Sequence, residues 1–300
     1  MSNLEVLKKP FFTEGVKYML ISTLCFTFMQ GLIKYLPVGR IPTIEQTFFR
    51  SFVTGVFCLG FMLKNHITFA IKNVKLIVIR SVVGSISMFS FFYVLPRMPL
   101  GTSVTIKYLS PVFTALFAGT MLNEKIKPKQ WAYILLAFAG VLLLKGFDHR
   151  VATIDLAIGL VSAISGGLLY IILRQIGDDD HPFVVVFYFM LIASFLSAVL
   201  MIPYWVTPNK EDSLVFLGVG FFGFVAQIYM TKAFQEKDDA NFLAQFKYLE
   251  AAYAIVLGFL WFGESYTLLS FLGIVLIFTS LILTIRLKSK QAMKKPIENT

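Results

Sequence analysis

Ten apolar segments, separated by short polar breaks, occupy most of this 300-residue chain. A helix rises 1.5 Å per residue, so about 20 apolar residues cross a hydrocarbon core of roughly 30 Å. The chain is 57% hydrophobic and 15% charged, which is more apolar than an ordinary soluble domain. The sequence therefore predicts an all-α integral membrane protein with ten transmembrane helices. The predicted spans are 15–36, 43–63, 72–94, 100–122, 129–146, 154–175, 181–202, 213–234, 240–261 and 267–285.

The 27 Lys and Arg residues are distributed unevenly between the two sides of the membrane. With the N-terminus in the cytoplasm, sixteen fall on the cytoplasmic side, six fall outside and five lie within spans. Because cytoplasmic loops carry an excess of Lys and Arg, we predict a multi-pass inner-membrane protein with both termini in the cytoplasm. The net charge of +10 does not indicate nucleic acid, because the basic residues form no single patch.

A weak internal repeat becomes visible when the chain is shifted by 140 residues. Without a gap, Pro42 then meets Pro182, and Lys107-Tyr108-Leu109 meets Lys247-Tyr248-Leu249. Five spans are an odd number, so the second copy must enter the membrane from the opposite side. This pattern predicts two inverted five-helix repeats, as in secondary transporters, whose site lies near the midplane between the halves. The predicted units are a first repeat at 14–146, a second repeat at 154–286 and a polar cytoplasmic tail at 287–300.

Two charges three residues apart, Lys247 and Glu250, interrupt the ninth apolar segment. Residues at this spacing share one face of a helix. Ionisable groups at membrane depth are costly and usually mark a substrate or proton pathway. We therefore predict that Lys247 and its repeat mate Lys107 bind substrate and that Glu250 couples transport to protons. The structural alternative is an internal ion pair that only holds the helix against its neighbours.

Arg50 and Gln227 are further polar groups at membrane depth. The guanidinium of Arg50 can clamp a carboxylate or phosphate in a bidentate fashion, or it can neutralise Glu45 on the same helix. Gln227 can bind substrate or join helices by a hydrogen bond, and the same holds for Gln30 nearer a helix end. We include Arg50 and Gln227 among the predicted substrate-binding residues.

Two tyrosines and two further cations have less certain roles. Tyr108 and Tyr248 are predicted to contact substrate, although packing with a satisfied hydroxyl group explains them equally well. Arg80 and Lys232 lie toward cytoplasmic helix ends, so we expect their charged groups to reach the lipid headgroups. We include Tyr108 and Tyr248 among the predicted substrate-binding residues, and we leave Arg80 and Lys232 out.

Several short motifs recur in order along the chain, namely Phe49-Arg50 in the second span, Pro111 in the fourth, and Asn123-Glu124 and Gly263-Glu264 at the ends of the fourth and ninth. Together these motifs resemble the EamA family of the drug/metabolite transporter superfamily. The likeness covers about residues 14–286, and the run Phe246 to Glu250 is similar to the ninth span of bacterial S-adenosylmethionine/S-adenosylhomocysteine transporters. The resemblance implies secondary transport of a small metabolite by alternating access, as uptake or efflux.

The residues also allow two structural expectations. Ala251 stands where the first repeat has Pro111, so we expect only the first repeat to have a proline kink. Glu124 and Glu264 follow their helices and are expected to cap backbone amides of the next helix. Two basic groups near the midplane favour a metabolite that bears an anionic or zwitterionic group.

The alternative function is a polytopic membrane-embedded enzyme acting on a lipid-like substrate. Such an enzyme needs a clustered acid/base, nucleophile or metal set, whereas His66, His149 and His181 fall in three different breaks. We predict no enzyme activity, no cofactor and no metal. The predicted partners are a small-molecule metabolite and the lipid bilayer. The sequence leaves open whether protons are co-transported and whether the chain forms a homodimer.

The charge distribution predicts which loops an impermeant reagent can reach. Lys210 should lie outside the cell, whereas the break between Lys64 and Lys75 and both termini should be cytoplasmic. A Lys210→Cys variant should therefore react with an impermeant maleimide added to intact cells. Labelling only from the cytoplasmic side, in inverted vesicles, would show that the orientation is reversed.

Overall fold

The computed structural model describes residues 13–37, 39–107, 109–122, 128–145, 152–236, 240–265 and 267–293, and within these ranges its regular structure is entirely helical. Single 3₁₀ turns follow the seventh and eighth helices. The helices are α1 Glu14–Tyr35, α2 Thr43–Lys64, α3 Val74–Val94, α4 Leu100–Lys107, α5 Ser110–Met121, α6 Pro128–Lys145, α7 Thr153–Ile176, α8 Pro182–Met201, α9 Lys210–Gln235, α10 Ala240–Phe246, α11 Tyr248–Phe262 and α12 Leu268–Met293.

Six helices in the described ranges are long and apolar enough to cross a bilayer: α1, α2, α3, α7, α8 and α9. Their existence confirms the predicted membrane protein. The bounds of α1, α2 and α3 agree with the predicted spans to within two residues. Polar end groups explain this agreement, because the side chains of Thr13 and Asn73 accept hydrogen bonds from the first turns of α1 and α3. The α9 helix likewise begins with a capping box formed by Asn209 and Asp212.

The predicted fourth and ninth spans are each broken into two shorter helices. In the first repeat α4 ends at Lys107 and α5 begins at Ser110, while in the second α10 ends at Phe246 and α11 begins at Tyr248. Pro111 has no N–H to donate to the Lys107 carbonyl, which instead accepts a hydrogen bond of 2.5 Å from Ser110 Oγ.

The second repeat breaks at the equivalent place without a proline. Lys247 N donates to Ala244 O and Glu250 N donates to Lys247 O, both in three-residue steps that tighten the chain locally. The second repeat therefore lacks the proline, as the sequence shows, but its helix is still interrupted at Lys247. The charged residue at the break, and not proline alone, marks the interruption.

The helices of the two repeats pack in a reciprocal pattern. The α1 helix lies along α9, and its repeat counterpart α7 lies along α3. The α4 and α5 helices contact α11 and α10 respectively, while α2 packs on α8 and α6 on α12. Exchanging the repeats leaves this set of contacts unchanged, so the core of the molecule lies between the halves.

One polar contact ties the repeats together at the end of α1. The Glu264 carboxylate pairs with Lys34 Nζ at 3.0 Å and accepts a hydrogen bond of 2.9 Å from Leu100 N, the first residue of α4. Lys34 Nζ also donates to Met98 O at 2.7 Å. Glu264 therefore caps a helix of the opposite repeat. Its counterpart Glu124 lies outside the described residues.

The C-terminal helix is longer than predicted. The α12 helix continues to Met293, beyond the expected end at 285, so the first part of the predicted tail is helical. Arg286, Lys288 and Lys290 lie in this extension, and cations near a helix C-terminus interact favourably with its dipole. The assignment of residues 287–300 to a polar cytoplasmic tail stays a prediction.

Close packing of α5 on α7 depends on Gly167. A Cβ atom at this position would lie 2.6 Å from Phe113 Cβ and 2.9 Å from both Ser110 O and Thr114 N, so backbone would have to move. We expect Gly167→Ala to destabilise the protein by about 1–3 kcal/mol, the usual cost of overpacking. Thermal unfolding of the purified protein measures this change. Gly60→Ala is the matched control, because nothing lies within 4 Å of that Cβ; equal loss of stability in both variants would contradict the packing argument.

Candidate functional site

A small cavity between the repeats brings together four of the predicted site residues. The space in it that is open to a water-sized molecule is about 50 Å³, enough for a few water molecules. Helices from both repeats line it, with Phe and Met side chains forming most of the apolar wall. Its polar lining consists of Arg50, Ser87, Lys107, Tyr170, Gln227 and Lys247.

The two repeat-related lysines meet across one aromatic ring. Lys247 Nζ lies 4.2 Å and Lys107 Nζ 5.7 Å from the centroid of Phe26, and Lys107 Nζ is also 3.9 Å from the centroid of Phe91. Each ammonium group is therefore within reach of a cation–π interaction. Since both lysines stand at a helix break, the breaks themselves aim the two cations into the cavity.

Glu250 is the carboxylate of this cluster, and it is completely buried. It forms an ion pair with Lys247, and its Oε2 accepts a hydrogen bond of 3.2 Å from Gln30 Nε2. The predicted contact across one helical turn is thus present, and a helix of the first repeat contributes to it. No described carboxylate lies within ion-pair distance of Lys107, although the charge of Glu250 acts on it.

Arg50 points into the cavity and not toward Glu45. Its guanidinium donates to Met88 Sδ and, at 3.4 Å, to Gln227 Oε1, and it lies 5.7 Å from the centroid of Phe92. The Glu45 carboxylate accepts instead from Val206 N at 3.0 Å. In the described part of the chain, Arg50 Nε and Gln227 Nε2 are buried without a hydrogen-bond partner. Both residues therefore retain donors that a ligand can use.

The two predicted tyrosines are not placed in the site. Tyr108 lies outside the described residues, and Tyr248 is described only through its backbone at the start of α11. Tyr170 was missed by sequence reasoning, yet it lines the cavity and stacks on Phe234 at a centroid distance of 4.4 Å. The shift by 140 residues could have indicated Tyr170, because it aligns this residue with Gln30, a polar residue within the first span.

Arg80 differs from the sequence prediction most clearly. Its side chain is 0% exposed, so it does not reach the lipid headgroups. The guanidinium lies 3.8 Å from the centroid of Phe189, a residue of the cavity wall. Arg80 is buried because it lies on the face of α3 that is turned toward the interior. The buried residues Ile77, Ser81 and Gly84 lie on the same face.

A second, wider cavity of about 430 Å³ lies beside the turn between α7 and α8. Asp178, Asp179, His181 and Lys232 are among its lining residues. Burial and the neighbouring Lys232 charge lower the pKa of His181 below its usual value. Within the described chain, no group of three or more His, Cys, Asp and Glu residues is arranged to hold a metal ion.

The fold and the central cavity together define a class of protein. Membrane-spanning helices in two repeated halves, with buried cations from both halves in one cavity, are the architecture of a membrane transporter. The chain belongs to the EamA-like transporter family, whose model matches residues 13–145 and 153–286. The predicted family is thereby confirmed.

Similar proteins have transport assigned to them. The pseudopaline exporter CntI of Pseudomonas aeruginosa is 25% identical over 92% of this chain and 97% of its own length. An S-adenosylmethionine uptake transporter of Rickettsia prowazekii is 25% identical over 84% of this chain and 86% of its length. One crystal structure shares the fold, with a TM-score of 0.70 and 18% identity over 93% of this chain and 97% of that one. The chain is therefore a transporter and not a membrane-embedded enzyme.

Proposed function

We propose that this protein is a secondary transporter of a small metabolite bearing an anionic or zwitterionic group, working by alternating access across the inner membrane. The observation that carries this proposal is the meeting of Lys107 and Lys247 at the Phe26 ring, one cation from each repeat. An anionic group bound between them would contact both halves of the molecule. Movement of one half against the other would then change the side from which that group is reached.

The packing supports the inverted arrangement of ten spans. Each pair of half-length helices, α4 with α5 and α10 with α11, is proposed to form one broken span, so each repeat has five. An odd number requires the repeats to have opposite orientations, and the reciprocal contacts of α1 with α9 and α3 with α7 fit this requirement. We place both termini in the cytoplasm on the basis of the charge distribution.

The size of the cavity supports a conformational cycle. Sites for drug-sized molecules usually measure roughly 300–1,000 Å³, whereas this one offers about 50 Å³. A metabolite therefore requires the halves to separate before it binds. The breaks beside Lys107 and Lys247 are suitable hinges, because the chain there makes few regular helical hydrogen bonds.

The comparisons leave the direction of transport open, because one relative is named as an exporter and another as an uptake transporter. Both relatives handle small metabolites according to their names. We extend only this common feature to the present chain. The substrate preference is proposed from the buried cations.

Binding measurements on lysine variants test the proposal. A competition screen in proteoliposomes, with metabolites bearing carboxylates, phosphates or only cationic groups, should first select anionic or zwitterionic ligands. Lys107→Ala and Lys247→Ala should each weaken binding by roughly 30-fold or more, because removing a buried charge partner costs about 2–5 kcal/mol. Lys210→Ala is the matched control, since this lysine is exposed. Unchanged binding in both cavity variants, or selection of purely cationic ligands, would reject the proposed function.

Glu250 is proposed as the site of proton coupling. A substrate anion arriving at Lys247 would take the partner of this carboxylate and favour its protonation. Binding of substrate and proton would then be linked, each raising the affinity for the other by the same factor. Glu250→Gln should retain substrate exchange in proteoliposomes but lose dependence on a pH gradient. A variant that still concentrates substrate under a pH gradient would exclude Glu250 as the coupling group, and loss of exchange as well would assign it to anchoring Lys247.

A further inference from the structure

Arg80 is a buried cation to which the transport proposal has given no role. Its Nε, Nη1 and Nη2 atoms have no hydrogen-bond partner among the described residues, and its guanidinium contacts only the face of Phe189 closely. Arginine keeps its proton even when it is buried in a protein. An unpaired buried charge is costly, so a partner must compensate it at some stage of the cycle.

The position of Gly84 connects Arg80 with the central cavity. Gly84 lines that cavity and lies one helical turn beyond Arg80 on the same face of α3. A Cβ atom at residue 84 would lie 3.1 Å from Arg80 Nη1 and 2.9 Å from Phe189 Cε2. The absence of a side chain at Gly84 therefore leaves the guanidinium next to the cavity wall.

Arg80 and Arg50 border the same cavity, Arg50 as a lining residue and Arg80 beside the lining residues Gly84 and Phe189. The described acceptors of Arg50 are neutral, namely the Met88 thioether and the Gln227 amide oxygen. The repeat counterparts of these arginines are Met190 and Gly220. The arginine pair thus belongs to the first repeat alone, on α2 and α3, apart from the symmetric lysine pair.

The charge balance favours more than one negative group at the site. Arg50, Arg80 and Lys247 are buried and Lys107 lines the same cavity, whereas Glu250 is the described carboxylate paired with Lys247, so one monoanion would leave an excess of positive charge in a low-dielectric interior. We propose that the substrate carries at least two acidic groups, one bound by the lysine pair and the other by the arginine pair. This inference rests on the proposed function, because it assumes that the lysine pair binds the substrate.

The planar fork of arginine suits this role. It donates two parallel hydrogen bonds to a carboxylate while its face stays on an aromatic ring. Phe189 already holds the guanidinium of Arg80 from one side. The edge with free N–H groups remains available to the second acidic group.

A matched series of simple acids tests the inference on the full-length protein in nanodiscs. Butyrate, succinate and tricarballylate carry one, two and three carboxylates, and inorganic phosphate carries its charge on a single group. Ligand-dependent shifts in Tm give apparent affinities, because a ligand that binds only the folded state stabilises it. Succinate and tricarballylate should protect more strongly than butyrate or phosphate. Failure of the di- and tricarboxylates to exceed both single-group probes would overturn the inference.

Variants at Arg80 separate binding from folding. Arg80→Gln should reduce the ratio of succinate to butyrate affinity by roughly 30-fold, because only the dicarboxylate needs both pairs of cations at once. Arg80→Lys should recover part of the ratio, because it keeps the charge but loses the fork. Arg97→Gln is the control, since Arg97 is exposed.

The outcomes distinguish the two proposals. A changed Tm without ligand, together with an unchanged ratio in both Arg80 variants, would make Arg80 structural and overturn the inference. The proposed transport function would then still stand if Lys107→Ala and Lys247→Ala weaken binding of the monoanion. If Lys107→Ala and Lys247→Ala leave the binding of both butyrate and succinate unchanged, both proposals are rejected.

Discussion

The excess of buried positive charge is the constraint on which the centre of this protein depends. Arg50, Arg80 and Lys247 are buried inside the bundle, Lys107 lines the same cavity as Arg50 and Lys247, and Glu250 is the described carboxylate that pairs with Lys247. In an apolar interior this arrangement costs much more than the contacts of the Phe and Met wall recover. Aromatic faces reduce the cost but do not remove it, because cation–π interactions contribute only about 0.5–2 kcal/mol each. The proposed ligand would offset this cost by supplying negative charge.

The helix breaks follow from the same constraint. A continuous helix would carry Lys107 and Lys247 past the cavity with all backbone groups paired internally. The break releases backbone groups, and local contacts such as Ser110 Oγ to Lys107 O satisfy them. Irregular backbone at membrane depth is tolerated where it is covered by protein or lines a cavity. Each break places a lysine between two half-helices, α4 and α5 for Lys107 and α10 and α11 for Lys247.

Much of the fold could be predicted from the sequence, because apolar length and polar breaks report helix ends directly. The family was accessible through its short motifs, and the convergence of Lys107 and Lys247 through the repeat offset, whereas Arg50 was indicated only by its depth within a span. The interruption at Lys247 was not, since no proline or glycine marks it there. Arg80 was assigned to the headgroups because position along a helix was considered without its direction around the axis. The direction in which a side chain points around the helix axis depends on packing with other helices. The sequence does not reveal it in a membrane helix, because the lipid-facing side and the buried side are both apolar.

The repeats share a scaffold but differ in chemistry, and this difference gives the cavity a direction. The lysines are matched, whereas Glu250 in the second repeat corresponds to Ser110 in the first. Arg50 and Arg80 have apolar or absent side chains as counterparts. The first repeat therefore contributes two arginines to this region, whereas the second contributes a carboxylate, so the electrostatic potential is more positive on the side of the first repeat. A ligand with acidic groups and an amino group would lie along this gradient of potential in one orientation, with the amino group toward Glu250. Symmetric hinges would then move an asymmetric site, so the two halves of the transport cycle need not have the same affinity for the substrate.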